Sequence, residues 1–437
     1  MFEFVKYISP LYYYRLVYKM PHNVLLSINE LDALVGEGKL NSGNFSSNEA
    51  KYMDLAYQAL EAGYFTQGQD RSEIQDSIIT HIEDNYRFIN RIYGLKKAMF
   101  VLLWRLLQFN KPIKEINGFL KGRSPKIKKR TKENQEFPCK EENKTLTQDN
   151  KVSVIIPTLN RYTYLKDVLA DLEKQTYSKF DVWICDQSDN FDDEFYKGWS
   201  LDVHVFQQED KALWHARNEC VRRSNGSFLL FFDDDSRVDP DWIVNHLKIA
   251  SGTIISAGIT ETLVGGGLST NSDVFHLSES LDTGNVMIHR NVFQRTGIFD
   301  EKFEKLRMGD GEFGLRCLLH GFELISNPKA SRVHLKGESG GLRQMGAWDA
   351  IHSIGLFKPR PIPSSLYLAK KHFNSETAMI YGLSQLPKAM IPYRLKGASF
   401  SKKAPFLFLA VILLPILIVT FFLSMKKSSD MLNSVVE

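Results

Sequence analysis

Short apolar runs and helical segments alternate along the chain from residue 152 onward. Four short, predominantly apolar runs have the length of strands, at residues 152–158, 180–186, 203–206 and 228–232, and the last is unbroken, as in a strand buried on both faces of a sheet. In the segments 164–175 and 213–223, apolar residues recur every three or four positions, which predicts helices. Alternation at this spacing is typical of a parallel, nucleotide-binding α/β sheet.

Three of the predicted strands end in polar residues. Thr158 and Asn160 follow the first strand, Asp186 ends the second, and three consecutive carboxylates at 233–235 follow the run at 228–232. Because parallel strands bring their carboxyl ends to one edge of a sheet, we expect these groups to outline one pocket.

The three consecutive carboxylates indicate a cation site. Like charges this close repel one another unless a cation lies nearby, and oxygen ligands at positions i and i+2 suit Mg²⁺ or Mn²⁺ bound to substrate phosphates. Taken in isolation, the same residues fit a solvated acidic turn equally well, or an N-cap before a helix that starts near Pro240. Only the neighbouring elements decide between these interpretations.

Residues 1–120 have a helical pattern and form a predicted accessory domain. Apolar residues recur on one face over 74–93, and an alanine-rich stretch begins at a capping-box sequence at 46–49 and ends at Gly63. The apolar run 98–104 is too short for a membrane span and suits a buried helix. No catalytic pattern is present here, so we predict a docking role toward a protein partner, a carrier or a second copy of the chain.

Residues 121–150 are a predicted linker. The first part, 121–132, is basic, and the remainder is polar with almost no apolar residues. Such a segment cannot bury enough apolar surface to order itself. As an alternative to a solvated tether, its basic part could contact anionic lipid or acidic groups of a partner.

Residues 404–423 are almost wholly apolar and carry no charge. As one helix they would be about 30 Å long, the thickness of a bilayer core. Lysine pairs at 402–403 and 426–427 bracket the stretch and leave its orientation open. We expect a single span at 404–424, kinked at Pro415, with the catalytic part of the chain in the cytoplasm. A re-entrant helix is the alternative.

The segment before this stretch is strongly basic. Between residues 358 and 403, nine Lys or Arg stand against one acid, Glu376. Apolar and basic residues are mixed at 367–373 and 378–390, so we expect residues 346–403 to form amphipathic helices on an anionic membrane surface. Helices with a merely solvated basic face are the alternative.

Composition limits the classes of function. A chain of 437 residues is too long for one core, so two or three domains are expected. The net charge of +4 does not suggest a nucleic-acid partner. Four widely spaced cysteines form no CxxC pair and indicate neither a zinc site nor a disulfide framework. The first residues lack the basic-then-apolar order of a signal peptide.

Several short motifs follow one another in a fixed order between residues 152 and 345. They are VIIPTLNR (154–161), the strand-ending Asp186, ARN (216–218), FFDDD (231–235), TGN (283–285), GDGE (309–312) followed by Arg316, and VH (333–334). In this order and spacing they resemble the motifs of family 2 glycosyltransferases. The resemblance implies a GT-A catalytic domain at 151–345, an α/β domain with a nucleotide-binding, Rossmann-like mixed sheet. The N-terminal helical accessory domain would precede it, and the C-terminal transmembrane helix would follow it.

The resemblance also implies roles in binding a nucleotide-diphosphate sugar donor. The turn after the first strand would hold the base and ribose through Pro157, Thr158, Asn160 and Arg161. Asp186 would accept a hydrogen bond from the ring N–H of a uracil-type base. Arg217 would lie near the nucleotide, where its planar five-donor group suits a base or diphosphate oxygens.

Asp233 and Asp235 match the two ends of the DxD motif of the family. The resemblance implies that Asp235 binds a divalent metal directly, and that Asp233 holds the ribose or a metal-bound water. His334 would complete the metal shell or contact phosphate. Such a metal stabilises the charge on a nucleoside-diphosphate leaving group.

The acceptor side of the site is implied by two further motifs. Gly284 and Asn285 resemble the strand start that lines the sugar pocket. Asp310 falls on the general base that deprotonates the acceptor hydroxyl for in-line attack, and Glu312 belongs to the same catalytic motif. Gly309 departs from the family pattern, in which an acidic residue is common, and this leaves the division of roles between the two acids open.

These interpretations lead to a membrane-attached, metal-dependent, inverting glycosyltransferase that uses Mg²⁺ or Mn²⁺. The expected donor is UDP-linked, and the expected acceptor is a hydroxyl of a glycan or lipid-linked sugar in cell-surface polysaccharide synthesis. Transfer onto polyprenyl phosphate is one alternative, and a non-catalytic glycan- or partner-binding module is another. A nucleotidyltransferase would require a glycine-rich loop after the first strand, and residues 158–162 contain no glycine.

Overall fold

The structure is a computed structural model of the chain. It describes residues 2–8, 26–64, 79, 81–108, 111–127, 150–264, 267–269, 274–278, 281–337, 341, 357–386, 390–392, 395 and 398–434. Most of the predicted linker, at 128–149, therefore lies outside the described residues. So do residues 342–356 and most of the glycine-rich stretch that follows His334.

A mixed sheet occupies the centre of the described chain. Its ten strands are β1 (Val152–Thr158), β2 (Phe180–Asp186), β3 (Val203–Gln207), β4 (Phe228–Phe232), β5 (Ser236–Val238), β6 (Ile254–Val264), β7 (Gly267–Ser269), β8 (His276–Leu277), β9 (Asn285–His289) and β10 (Glu323–His334). The main strand order is β3-β2-β1-β4-β9-β6-β10-β5. The first four strands are parallel, as predicted, whereas β9 is antiparallel to both of its neighbours.

Helices cover the sheet on its two faces. They are α6 (Tyr162–Leu172), α7 (Leu213–Arg223), α8 (Trp242–Leu247), α9 (Arg290–Thr296) and α10 (Gly309–Leu319). The apolar face of α6 packs with Val154 and Ile156 of β1, while Ile155 between them joins the core on the side of α7, α9 and α10. Alternate side chains of β1 thus enter different cores, which explains why the strand is apolar throughout.

The N-terminal helical region is present as α1 (Ile28–Gly36), α2 (Asn48–Ala62), α3 (Ile82–Ile92), α4 (Leu95–Leu107) and α5 (Pro112–Lys121). The side chain of Ser47 caps α2, one residue later than the capping-box sequence predicts, and the helix ends at Gly63 with a φ of 90°. A buried ion pair between Arg91 and Asp54, 3.0 Å apart, joins α3 to α2. Residues of this region and of the sheet belong to one continuous apolar core.

Among the described residues, four helices follow the sheet: α11 (Pro363–His372), α12 (Ser375–Gln385), α13 (Phe400–Ile412) and α14 (Leu414–Asn433). The prediction that 367–373 lies on a membrane surface is corrected, because α11 is buried against α14. Lys370 donates to the carbonyl of Met425 and the hydroxyl of Ser429, both at 2.7 Å. The charged group of Lys370 is therefore used in contacts within the protein. A count of basic residues along the sequence cannot distinguish such a lysine from one that faces a membrane.

The predicted single span at 404–424 is not confirmed. The chain bends by 79° between α13 and α14, at Leu413. Pro415 lies in the first turn of α14, where a residue without an N–H is tolerated. In the interior of one continuous helix, the same proline would remove a hydrogen bond and break the helix. Among the described residues, no helix by itself has the length and apolar character needed to cross a membrane, whereas this bent pair meets that test when its two helices are taken together.

Candidate active site

The three carboxylates after β4 have three different environments. Asp233 accepts hydrogen bonds from Arg217 at 3.2 Å and from Arg332 at 2.7 Å. Asp234, the middle residue, accepts from the Thr158 hydroxyl at 2.8 Å and is almost fully buried. This placement identifies Asp234 as a structural residue, while Asp233 and Asp235 form the two ends of the motif.

Asp235 lies between two cationic groups. His334 Nε2 is 3.2 Å from one carboxylate oxygen, and Arg161 is 3.0 Å from the other, as well as 3.0 Å from Asp234. Burial alone would raise the pKa of Asp235, but the hydrogen bond and charge of His334, with Arg161, hold it below its usual value. For Asp234, burial dominates and raises the pKa to about 6.

Ligand atoms of Asp233, Asp235 and His334 all lie within 4.8 Å of one another. The strand pairing explains this proximity, because His334 at the end of β10 is in register with Ser236, the residue after Asp235. Two carboxylates and an imidazole form a donor set that suits a divalent metal. The residues that the sequence assigned to a metal are therefore brought together.

A second group of possible ligands is Asp181, Asp202 and His204. These residues lie at the start of β2 and beside the start of β3, at the edge opposite to the pocket. Lys151 Nζ is 2.6 Å from Asp181, so this carboxylate already has a cationic neighbour. The group is separate from the candidate active site.

The turn after β1 is tied to the turn after β2. Asn160 has a φ of 53°, its N–H donates to the Ser188 hydroxyl at 2.8 Å, and its side-chain amide donates to Asp189 at 2.7 Å. Pro157 and Thr158 are buried within β1. Of the four residues predicted to hold the base and ribose, Asn160 and Arg161 are therefore the more accessible ones.

Asp186 is fully buried, and its carboxylate is occupied by protein groups. It accepts hydrogen bonds from Tyr162 at 2.6 Å, from Tyr196 at 2.7 Å and from the N–H of Ser188 at 2.8 Å. Burial and the Asp186 charge raise the pKa of the Tyr196 hydroxyl. In this conformation Asp186 has no exposed oxygen for a nucleotide base, and the accessible carboxylate beside it is Asp189.

Asn285 is placed differently from its predicted role in the sugar pocket. Its side-chain oxygen accepts from Trp242 at 2.9 Å and lies 3.0 Å from His246, and its amide donates to the carbonyls of Ile259 and Ala330. The side chain is fully buried and has no donor or acceptor left for a sugar. This prediction is corrected, since Asn285 joins β9 to its neighbouring elements.

Gly284, the preceding residue, lies directly against the pocket. A Cβ at this position would be 2.1 Å from an Asp233 oxygen and 2.4 Å from the guanidinium of Arg332. Only glycine fits beside this ion pair, which explains the TGN motif better than a direct sugar contact does.

A side chain is also excluded by close packing at Gly309. A Cβ there would meet the Trp214 ring at 2.3 Å, and this ring also stacks under the Arg217 guanidinium at 5.2 Å. The departure from the family pattern is thus compensated by a tryptophan that fills the space. Asp310, the next residue, is half-buried in the first turn of α10 and accepts a hydrogen bond from the N–H of Gly311 at 2.8 Å.

Glu312 is fully buried and is held by two cationic side chains and a histidine. Arg316 donates to it at 3.0 and 3.1 Å, and Lys371 and His372 of α11 both lie 2.8 Å away. The predicted catalytic role of Glu312 is therefore corrected to a structural one, because no oxygen of this carboxylate is exposed. Burial would raise the pKa of Glu312, but His372, Arg316 and Lys371 together lower it to about 2.

Arg332 and Asp282 were missed by the sequence analysis. Arg332 is buried and donates to Asp233 and to Asp282, at 2.7 and 2.9 Å. Burial lowers the pKa of this guanidinium, but Asp282 and Asp233 outweigh it and raise the pKa above its usual value. The signal was available, since residues two apart in a strand share a face and Arg332 is two residues before His334.

We predict that replacing Gly309 by alanine destabilises the protein by about 1–3 kcal/mol, because the new methyl group overlaps the Trp214 ring. Urea unfolding measures the change. Gly36→Ala is the matched control, since nothing lies within 4 Å of a Cβ at that position. Equal stabilities of the two variants would contradict the close packing.

We predict that Glu312→Gln destabilises the protein at neutral pH, since Arg316 and Lys371 lose their buried anion. The folded pKa of about 2 is below the ordinary 4.5, so the stabilisation is complete above pH 4.5 and is lost as the pH falls toward 2. Its size is about 3 kcal/mol. Urea unfolding should show the gap between wild type and variant narrowing below pH 4.5. The exposed substitution Glu209→Gln should show no gap at any pH.

Comparison with known proteins agrees with this site. Residues 153–262 match the family model described as Glycosyl transferase family 2, a range that includes the strand-end residues from Thr158 to Asp235. Glycosyltransferase AglE of Haloferax volcanii is 27% identical over 165 residues, which are 34% of this chain and 54% of that protein.

A second relative, from Methanococcus voltae, is named dolichyl N-acetyl-alpha-D-glucosaminyl phosphate 3-beta-D-2,3-diacetamido-2,3-dideoxy-beta-D-glucuronosyltransferase. It is 26% identical over 210 residues, 41% of this chain and 65% of that protein. Both matches span less than two thirds of the relative. The crystal structure of S. aureus TarS 1-349 in complex with UDP-GlcNAc superposes with a TM-score of 0.41 and 16% identity, over 64% of this chain and 92% of that one. Within residues 153–262, the chain is thus similar to glycosyltransferase family 2.

Proposed function

We propose that this protein moves a sugar from a UDP-linked donor to a hydroxyl of a glycan or lipid-linked acceptor, with inversion at the anomeric carbon. The reaction would serve the synthesis of a cell-surface polysaccharide. The observation that carries the proposal is the grouping of Asp233, Asp235 and His334 at the carboxyl edge of the sheet. The match of residues 153–262 to the family model supports glycosyl transfer as the class of reaction.

Asp235 and His334 would hold a divalent cation, Mg²⁺ or Mn²⁺, with Asp233 beside them. Bound there, the cation would stabilise the negative charge that develops on the departing nucleoside diphosphate. Arg161 contacts Asp234 and Asp235, and its planar guanidinium would bind diphosphate oxygens. Arg332 and Arg217 would keep Asp233 ionised and fixed in position.

On the acceptor side, Asp310 would act as the general base. Glu312 is enclosed by Arg316, Lys371 and His372, so Asp310 is the accessible carboxylate of the motif. It would take the proton of the acceptor hydroxyl as the oxygen attacks the anomeric carbon opposite the leaving group, which inverts the configuration. The relative named for a dolichyl-linked sugar phosphate supports a lipid-linked acceptor.

We also propose that the bent pair α13–α14 attaches the enzyme to a membrane, with the catalytic domain on the cytoplasmic side. Large apolar side chains of the pair are exposed, at Phe400, Phe408, Val411, Ile412, Val419 and Phe422. Lysine pairs at 402–403 and 426–427 flank them and suit anionic headgroups. The pair also carries contacts to the protein, so it would lie on the membrane as a docked element.

We predict that UDP binds in a Mn²⁺-dependent manner and that Asp235→Asn weakens this binding by at least about tenfold, because a metal ligand is lost. Calorimetric titration with a panel of nucleoside diphosphates, with and without Mn²⁺, measures it. Asp202→Asn, in the acidic group at the opposite edge, is the control and should bind normally. If the protein binds another nucleoside diphosphate more tightly than UDP, the proposed donor is wrong. If it binds none of them, a non-catalytic binding module is favoured over an enzyme.

We predict that Asp310→Asn lowers the rate of sugar transfer by roughly 10²–10⁴-fold, because the general base is lost, while nucleotide binding is retained. The assay follows labelled sugar from the identified donor into glycans and lipids of a membrane extract, with Asp210→Asn as an exposed control. A variant that keeps most of its activity would indicate transfer onto polyprenyl phosphate, where the acceptor needs no base.

A further inference from the structure

Helices α4 and α5 have an apolar outer face that the proposed function does not use. It consists of Leu95, Met99, Leu103, Leu107, Ile113, Ile116 and Leu120, with exposed fractions between 43% and 76%. We refer to these seven residues as the α4–α5 face. Within the described part of the chain, the opposite sides of these helices provide the core contacts, at Ala98, Val101 and Gly118. The face is therefore additional to the surface that the domain needs for folding.

The charges around this face are almost all positive. Between residues 95 and 127 the chain has eight Lys or Arg and one acid, Glu115. Glu115 is buried and paired with Arg105 at 2.5 Å, so it does not offset the charge outside. The exposed cations are Lys96, Lys97, Lys111, Lys114, Lys121, Arg123 and Lys126.

Apolar side chains bordered by lysines match the chemistry of an anionic lipid surface. The apolar groups enter the boundary between headgroups and acyl chains, and the lysines extend toward the headgroups. A second copy of the same face is disfavoured, because two surfaces with this excess of positive charge would repel each other.

The position of the face agrees with this occupant. Gln108, directly after α4, contacts Glu376 in the first turn of α12, and α12 packs against α14. The part of the face at the end of α4 thus adjoins the C-terminal helices, which include the exposed apolar pair. A lipid surface that contacts one of these regions comes close to the other.

We propose that the α4–α5 face is a second membrane-binding surface, which inserts its apolar side chains into an anionic bilayer and is independent of the α13–α14 pair. The N-terminal domain is then a membrane-contacting element, and not a docking site for a protein. With one attached surface, the catalytic domain could still rotate relative to the membrane. Attachment at two surfaces would fix its orientation.

A local probe on the full chain tests this proposal separately from nucleotide binding and from the C-terminal pair. Cys139→Ser removes the cysteine outside the described residues, and Ile113→Cys introduces a site for an environment-sensitive nitrobenzoxadiazole label. The remaining thiols at Cys185, Cys220 and Cys317 are buried, and burial raises the pKa of each, so they react poorly. Glu49→Cys in the same background places the label on an exposed site of α2 as the control.

We expect a blue shift of the label at 113 with phosphatidylglycerol vesicles and little shift with phosphatidylcholine vesicles, and no shift of the label at 49. Lys111→Gln with Lys114→Gln should raise the lipid concentration for half of the shift by roughly 30-fold. Vesicle binding without a shift at 113 would overturn the proposal and leave attachment to α13–α14. A shift that grows with protein concentration in the absence of vesicles would overturn it in favour of a second copy.

Discussion

The structure depends on neutralising three adjacent carboxylates at the end of a fully buried strand. The β4 strand brings Asp233, Asp234 and Asp235 to the edge of the sheet, where repulsion between them would expel the turn into solvent. Arg161, Arg217, Arg332 and His334 prevent this, and they come from three different elements. The turn after β1, helix α7 and the end of β10 are thereby drawn to one point. Such buried ion pairs add little net stability, because the free-energy cost of removing the charges from water offsets much of their attraction. Their main effect is to fix the positions of the side chains.

This arrangement explains which parts of the site the sequence could predict. The strand at 228–232 is an unbroken apolar run, and those at 152–158 and 180–186 are predominantly apolar, so their ends could be located to the residue. Parallel pairing then fixes where those ends meet. His334 could be joined to them only through its motif, because β10 is separated from β4 by about a hundred residues and its register depends on pairing with β5 and β6.

The sequence was less informative about the direction in which a side chain points. Asp186, Asn285 and Glu312 stand in the expected motifs, but each carboxylate or amide is consumed by protein partners that a motif does not contain. Tyr196 and His372, for example, reach their partners from loops and helices whose positions follow from tertiary packing. The same limit applies to α11, where a basic, apolar segment is compatible with a membrane surface or with a buried helix. Only the contacts of Lys370 and Lys371 distinguish the two.

The network around Glu312 has a mechanical consequence. Lys371 and His372 of α11 hold the helix that begins with the candidate base, while α14 is joined to α11 through Lys370 and to the catalytic domain through Lys302, which donates to the carbonyl of Met431. These contacts fix the C-terminal helices to the catalytic domain. If the outer side of these helices rests on a lipid surface, the candidate base lies at a constant height above that surface. The enzyme would then select acceptors by the distance at which their reactive hydroxyl projects from the bilayer.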